Sequence, residues 1–188
     1  MRKKYPPGVR NFSFLGCVLL WACNGQKDVD ETGETGPSPE ELCEGVGEPG
    51  LVIGFGVGED FRPYEEGSVV GLDVAPQGGF GVPVRARTSG IRTVDGDLPH
   101  ATSSVLLDTY IDGDLAGSFL NETVEVYCQD DGSGLIWGVV VGFDPETYAT
   151  NEDLLQLNGQ EVMLLVRAID PEGRIAEGTV DVVISVGR

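Results

Sequence analysis

The chain has 188 residues, with 12 Lys+Arg against 31 Asp+Glu and a single His, for a formal net charge of −19. That length suits one main domain, and an apolar fraction of 40% is enough to build a core. The acidic balance excludes nucleic acid as a partner, since phosphate binding needs a basic face. One His and four Cys leave little material for metal-dependent or nucleophilic catalysis.

Residues 1–10 carry Arg2, Lys3, Lys4 and Arg10 and no acid, and residues 12–22 (FSFLGCVLLWA) are almost wholly apolar. Eleven residues are too few to cross a bilayer as a helix, which takes about 20. A basic start and a short apolar run predict a signal peptide over residues 1–22. The run ends Leu20-Trp21-Ala22-Cys23, which resembles the lipobox of bacterial lipoproteins. The resemblance implies cleavage before Cys23 and lipidation of its sulfur, with two or more acyl chains, enough for firm anchoring. Asn24 after the Cys implies sorting to the outer membrane or cell surface. All 31 acids follow Cys23 but only eight bases do, a net of −23. Anionic headgroups repel such a body, so the lipid must be what holds it to the membrane.

Residues 23–50 are rich in Gly, Pro, Glu, Asp and Thr and read as a flexible acidic tether, with at most one helical turn at 40–44. From residue 51 to 188 the texture is short apolar runs between Gly, Asp, Asn and Pro. Strands are expected over 51–57, 68–74, 80–88, 102–111, 123–128, 135–143, 161–169 and 175–186. The last has the cleanest period of two, with Val180, Val182, Ile184 and Val186 inward. Pro83 lacks a ladder N–H and predicts an edge or a bulge. Leu135, Trp137, Val139, Val141 and Phe143 read as one core face. The one helical candidate is 151–157, with Thr150 as N-cap. Many short strands and almost no helix predict an all-β antiparallel sandwich. The closing order of helical corner, strand, Asp170-Pro171-Glu172-Gly173 turn and strand resembles an immunoglobulin-like or fibronectin-type sandwich.

Cys43 and Cys128 remain after export, and outside the cytoplasm such a pair is expected to bridge. CxxC spacing and a neighbouring His are both missing, which disfavours a redox or metal site.

Gly54 and Gly56, then Phe61 and Pro63, the Glu66-Gly67 turn, an apolar run and Pro76-Gln77-Gly78-Gly79-Phe80 together resemble uncharacterised predicted lipoproteins of myxobacteria. The resemblance covers about a fifth of the chain and carries no established activity. The family often has a His after the aromatic, where this chain has Gly81.

Gly-x-Ser-x-Gly, HExxH and the P-loop are all missing from the sequence, and no enzyme is expected. Trp137 reads as core and His100 as a solvated loop residue, so no aromatic cluster marks a sugar cleft. Asp95 with Asp97, Asp112 with Asp114, and Asp130 with Asp131 place carboxylates in turns. Calcium is their alternative use, though it wants about six to eight oxygens and none follows the EF-hand order. Asp-Gly is also the usual hairpin turn chemistry. No cofactor is otherwise expected. The reading is a non-catalytic, lipid-anchored protein of the bacterial cell envelope, its sandwich serving structure, adhesion or contact with an envelope or surface protein. The alternative is a ligand- or calcium-binding module using the Gln77 turn and the Asp-Gly loops.

Overall fold

The apolar runs become strands in the computed structural model, which describes residues 36–57, 60–74 and 79–187. In chain order these are helix α1 (Pro39–Cys43) and strands β1 (Gly50–Phe55), β2 (Arg62–Pro63), β3 (Ser68–Gly71), β4 (Asp73–Val74), β5 (Phe80–Ser89), β6 (His100–Ile111), β7 (Asp114–Cys128) and β8 (Gly134–Gly142). Helix α2 (Asn151–Gln156), β9 (Glu161–Ile169) and β10 (Ile175–Ser185) complete the set. Lipidation candidate Cys23 and the predicted signal peptide lie outside the described residues, as does Gln77.

The strands form one hydrogen-bonded path, β2-β1-β5-β8-β7-β6-β9-β10-β3, with β4 beside β5. The pairings are antiparallel except that β3 runs parallel to β10. The path curls so that β1 packs beside β10. Strand β7 is the hinge of the curl. Its whole length pairs with β6, while only Val126, Tyr127 and Cys128 pair with β8. The fold is therefore all-β, as expected.

Alternation fixes which side chains enter the core. Val162, Leu164 and Val166 of β9 and Val182 and Ile184 of β10 are almost fully buried, while Glu161, Thr179 and Ser185 are exposed. Val82, Val84 and Ala86 line the core side of β5, with Arg85 and Arg87 on the other face. The curl depends on a close approach between β10 and β1, since a Cβ at Gly178 would collide with the carbonyl of Leu51. Gly178→Val should therefore lower the urea midpoint, at a cost of about 1–3 kcal/mol from overpacking. An unchanged midpoint would show that β1 is free to shift.

Of the two placements expected for Pro83, an edge or a bulge, the structure has the bulge. Strand β5 is interior, yet its pairing with β1 ends at Arg85 and its pairing with β4 covers only Phe80 and Gly81. Pro83 falls in the gap, where a missing N–H costs no ladder bond, and a bulge follows between Val84 and Ala86. Its carbonyl accepts from the Tyr64 hydroxyl at 3.2 Å.

Residues 36–50, assigned by composition to the tether, belong to the compact unit that starts at Gly36. Ser38 and Glu41 form a reciprocal capping box at α1. The Cys43 carbonyl accepts from the Thr93 N–H at 2.8 Å, and the Gly47 carbonyl from Arg174 at 3.1 Å. Composition cannot register this fastening, because it uses backbone carbonyls and one sulfur rather than apolar side chains. That sulfur is in the Cys43–Cys128 disulfide, with Cα atoms 5.8 Å apart, as the even cysteine pair predicts.

Candidate functional site: an aromatic and arginine face

The face of the sheet turned away from the core carries the most distinctive chemistry among the described residues. It begins with a bulge in β8. Val84 pairs with Val139 and Ala86 with Ile136, so Trp137 and Gly138 together oppose Arg85. Gly138 takes φ +63°, the left-handed conformation such a bulge needs. The extra residue breaks the alternation. Ile136 enters the core beside its partners Val126 and Ala86. Leu135 pairs with Tyr127 and Arg87 and is buried apart from the core cluster. Trp137 is 44% exposed, which overturns its expected core placement.

Strand pairing then assembles a row of rings. Tyr127 of β7 lies 5.4 Å from Trp137 at an interplanar angle of 31°, and His100 of β6 lies 5.1 Å from Tyr127 at 45°. His100, expected in a loop, instead opens β6 directly opposite Tyr127. On the other side of Trp137 the Arg85 guanidinium stands 5.5 Å from the ring centroid, a cation–π distance. Arg87 stands 5.3 Å from the Phe61 ring.

The charged groups on this face are engaged. Asp60 pairs with Arg62 at 3.3 Å and its carbonyl accepts from Arg85. Asp131 pairs with Arg87 at 3.4 Å. Glu125 accepts from the Tyr127 hydroxyl and lies 3.8 Å from His100 Nε2. The hydrogen bond to Glu125, with burial and the carboxylate charge adding to it, raises the Tyr127 pKa and keeps the phenol protonated.

Asp131 is held below the usual carboxylate range, first by the Ser133 hydroxyl, aided by the Ser133 N–H and Arg87. A depressed carboxylate stabilises the fold above its unfolded pKa of about 3.9 and loses that contribution as pH falls through the lower folded value. Acidification below about pH 4 should thus loosen the 129–133 turn. The Ser133 amide shift should report it by NMR, and Asp131→Asn should remove that dependence. A shift that titrates identically in Asp131→Asn would assign the effect to another group.

The other candidates fall apart. Asp112 and Gly113, at φ +53° and +86°, form the two-residue turn between β6 and β7, with Asp114 paired to Ile111. Asp95 bridges to Leu98 around Gly96, with Asp97 in the same turn. Asp131 serves Ser133 and Arg87, and Asp130 precedes it in that turn. These pairs occupy three separate turns, and no group of three or more His, Cys, Asp or Glu among the described residues could hold a metal ion.

No family model matches the chain, and no curated protein matches it. Where β7 and β8 part, an apolar slot of about 370 Å³ opens between Leu115, Phe119, Val140 and Phe143. Its one carboxylate, Asp144, is engaged by Thr147 and the Glu146 N–H, so the slot offers no acid–base pair.

Sequence reasoning missed the platform of Trp137, Tyr127, His100 and Arg85. One clue was available. Gly138 is an isolated glycine within an alternating run, a mark of a bulge, and a bulge reverses the face of the residue beside it.

Proposed function

We propose that this chain is a non-catalytic, lipid-anchored protein of the bacterial cell envelope, working as a contact module built on an immunoglobulin-like sandwich. The observation that carries the reading is the Cys43–Cys128 disulfide, which closes the N-terminal segment onto the end of β7. Such a bond persists in an oxidising compartment. It agrees with the basic-then-apolar start and with Cys23 as the lipidation site.

The sandwich reading draws support from the strand order. Within the one sheet, β1-β5-β8 and β7-β6-β9-β10-β3 are joined by only three residue pairs between β8 and β7. The N-terminal strands divide between them, β1 antiparallel to β5 and β3 parallel to β10, and the short helix α2 turns the chain between β8 and β9. A ligand-binding role, the second reading, is favoured by the exposed aromatic row; Gln77 lies outside the described residues.

The test is palmitate labelling and membrane fractionation in a bacterial host. The wild-type chain should take up label and sediment with membranes, globomycin should make its precursor accumulate, and Cys23→Ala should lose the label. Equal labelling and sedimentation of Cys23→Ala would overturn the anchor.

A further inference from the structure

We infer that the outer face formed by Trp137, Tyr127, His100 and Arg85 binds a neutral polysaccharide, with Trp137 as the stacking platform. The inference rests on the contact-module reading and gives it a ligand class. A pyranose ring has an apolar C–H side and a rim of hydroxyls that both donate and accept. It therefore needs a flat aromatic surface flanked by donors and acceptors, and this face supplies both.

The Trp137 indole supplies one flat plane, and the rings beside it continue the row with tilted planes. Three rings stand on three neighbouring strands, β6, β7 and β8, and their planes turn by 45° and then 31° along the row. Adjacent strands lie about 4.8 Å apart, so the row runs roughly 10 Å, about the length of a disaccharide. The rings are fixed beforehand. The Tyr127 hydroxyl is held by Glu125, His100 packs against Tyr127 with its plane tilted, and Arg85 bears on Trp137. Strand-mounted aromatics lose little conformational freedom on binding. At the rim, the Arg85 guanidinium carries donors, the Glu125 carboxylate acceptors, and the Tyr127 oxygen, its proton given to Glu125, can still accept.

Charge selects among ligands. The chain carries −19 overall, and residues 51–188 carry seven Arg against 23 acids. A polyanion is repelled from such a body. A polycation would find acids almost anywhere, whereas on this face Asp60 and Asp131 are paired with Arg62 and Arg87 and Glu125 is engaged by the Tyr127 hydroxyl. An aromatic patch whose carboxylates are already engaged, on an acidic body, suits an uncharged, hydroxyl-rich polymer. The bulge adds a second reason. Regular alternation back from Val139 would place Trp137 in the core, whereas the bulge at Gly138 leaves this large apolar ring at the surface, at a cost in burial free energy.

The experiment uses the full chain with Trp21→Phe, so that Trp137 is the sole tryptophan. Native gels containing β-glucan, xylan, mannan or starch are run beside gels containing polygalacturonate, and emission is recorded with the matching hexasaccharides. At least one neutral polymer should slow migration and its oligosaccharide should shift Trp137 emission. Trp137→Ala should weaken retardation at least tenfold with an unchanged melting temperature, and Trp137→Phe should recover part of it. If no neutral polymer slows migration, if only polygalacturonate does, or if Trp137→Ala is slowed as much as its parent, the inference is overturned. Labelling at Cys23 is read independently, so loss of sugar binding and loss of the anchor are distinguishable.

Discussion

Replacing both Cys43 and Cys128 by alanine is expected to lower the unfolding free energy by about 4 kcal/mol, read as a fall in the urea midpoint. The bond links residues 85 apart in sequence, and the chain-entropy account gives roughly 4–5 kcal/mol for a loop of that size. The native cost should be small and local. Cys43 is 2% exposed at the end of α1, and its carbonyl keeps the Thr93 N–H without the sulfur link. The five-residue α1 is too short to hold itself in water. Limited proteolysis of the variant should thus cut first within 36–49, before β1, whereas the oxidised parent resists there. Reductant should reproduce the midpoint shift in the parent and leave the variant unmoved. A variant as stable as its parent would mean that the 36–49 segment is held by its backbone contacts alone.

The second large effect is expected at Asp170, a carboxylate only 4% exposed between β9 and β10. Its two oxygens accept three backbone N–H groups, those of Arg92, Glu172 and Arg174, at 2.8–2.9 Å. The Arg92 bond reaches across 78 residues and ties the loop after β5 to the β9–β10 turn. Asp170→Ala leaves those donors unmatched, and charged hydrogen bonds contribute about 1.5–3 kcal/mol each. Allowing for water entering the turn, the loss should be about 3 kcal/mol. Asp170→Asn, which keeps one carbonyl acceptor, should lose roughly half as much. Amide exchange at Arg92 and Arg174 should quicken in the alanine variant. Unchanged exchange at Arg92 would show that the two loops hold together without Asp170.

Much of the fold was legible because these strands bury one face. The runs at 161–169 and 175–186 alternate cleanly, and β9 and β10 occupy nearly those bounds. The helical candidate with its Thr150 cap became α2, with a capping box between Thr150 and Asp153. Other elements left a weaker trace. Two-residue β2 is too short for any period, and the run expected over 68–74 divides at Leu72 into β3 and β4. The first half of β7, from Asp114 to where a strand was expected at residue 123, mixes Gly117, Ser118 and Asn121 with apolar residues. Its register comes from β6 through an Asp-Gly turn rather than from a buried face. The first expected strand was cut short at Phe55 because Val57, 85% exposed, lies past the end of the sheet. The aromatic row depends on a one-residue bulge and on pairing among β6, β7 and β8, long-range facts that periodicity cannot express.

The position of the disulfide also sets how the body responds to tension. A pull arriving from the N-terminal side of Cys43 passes through the sulfur bridge to Cys128 and enters the sheet where β7 joins β8. Tyr127 and Trp137 stand at that junction. Force between the N-terminal side and something gripped on the aromatic row would thus follow a short route through covalent bonds and the ladder of β7 and β8. Strand β1, which follows Cys43 in sequence and would otherwise be the first to unzip from β5, lies outside that route.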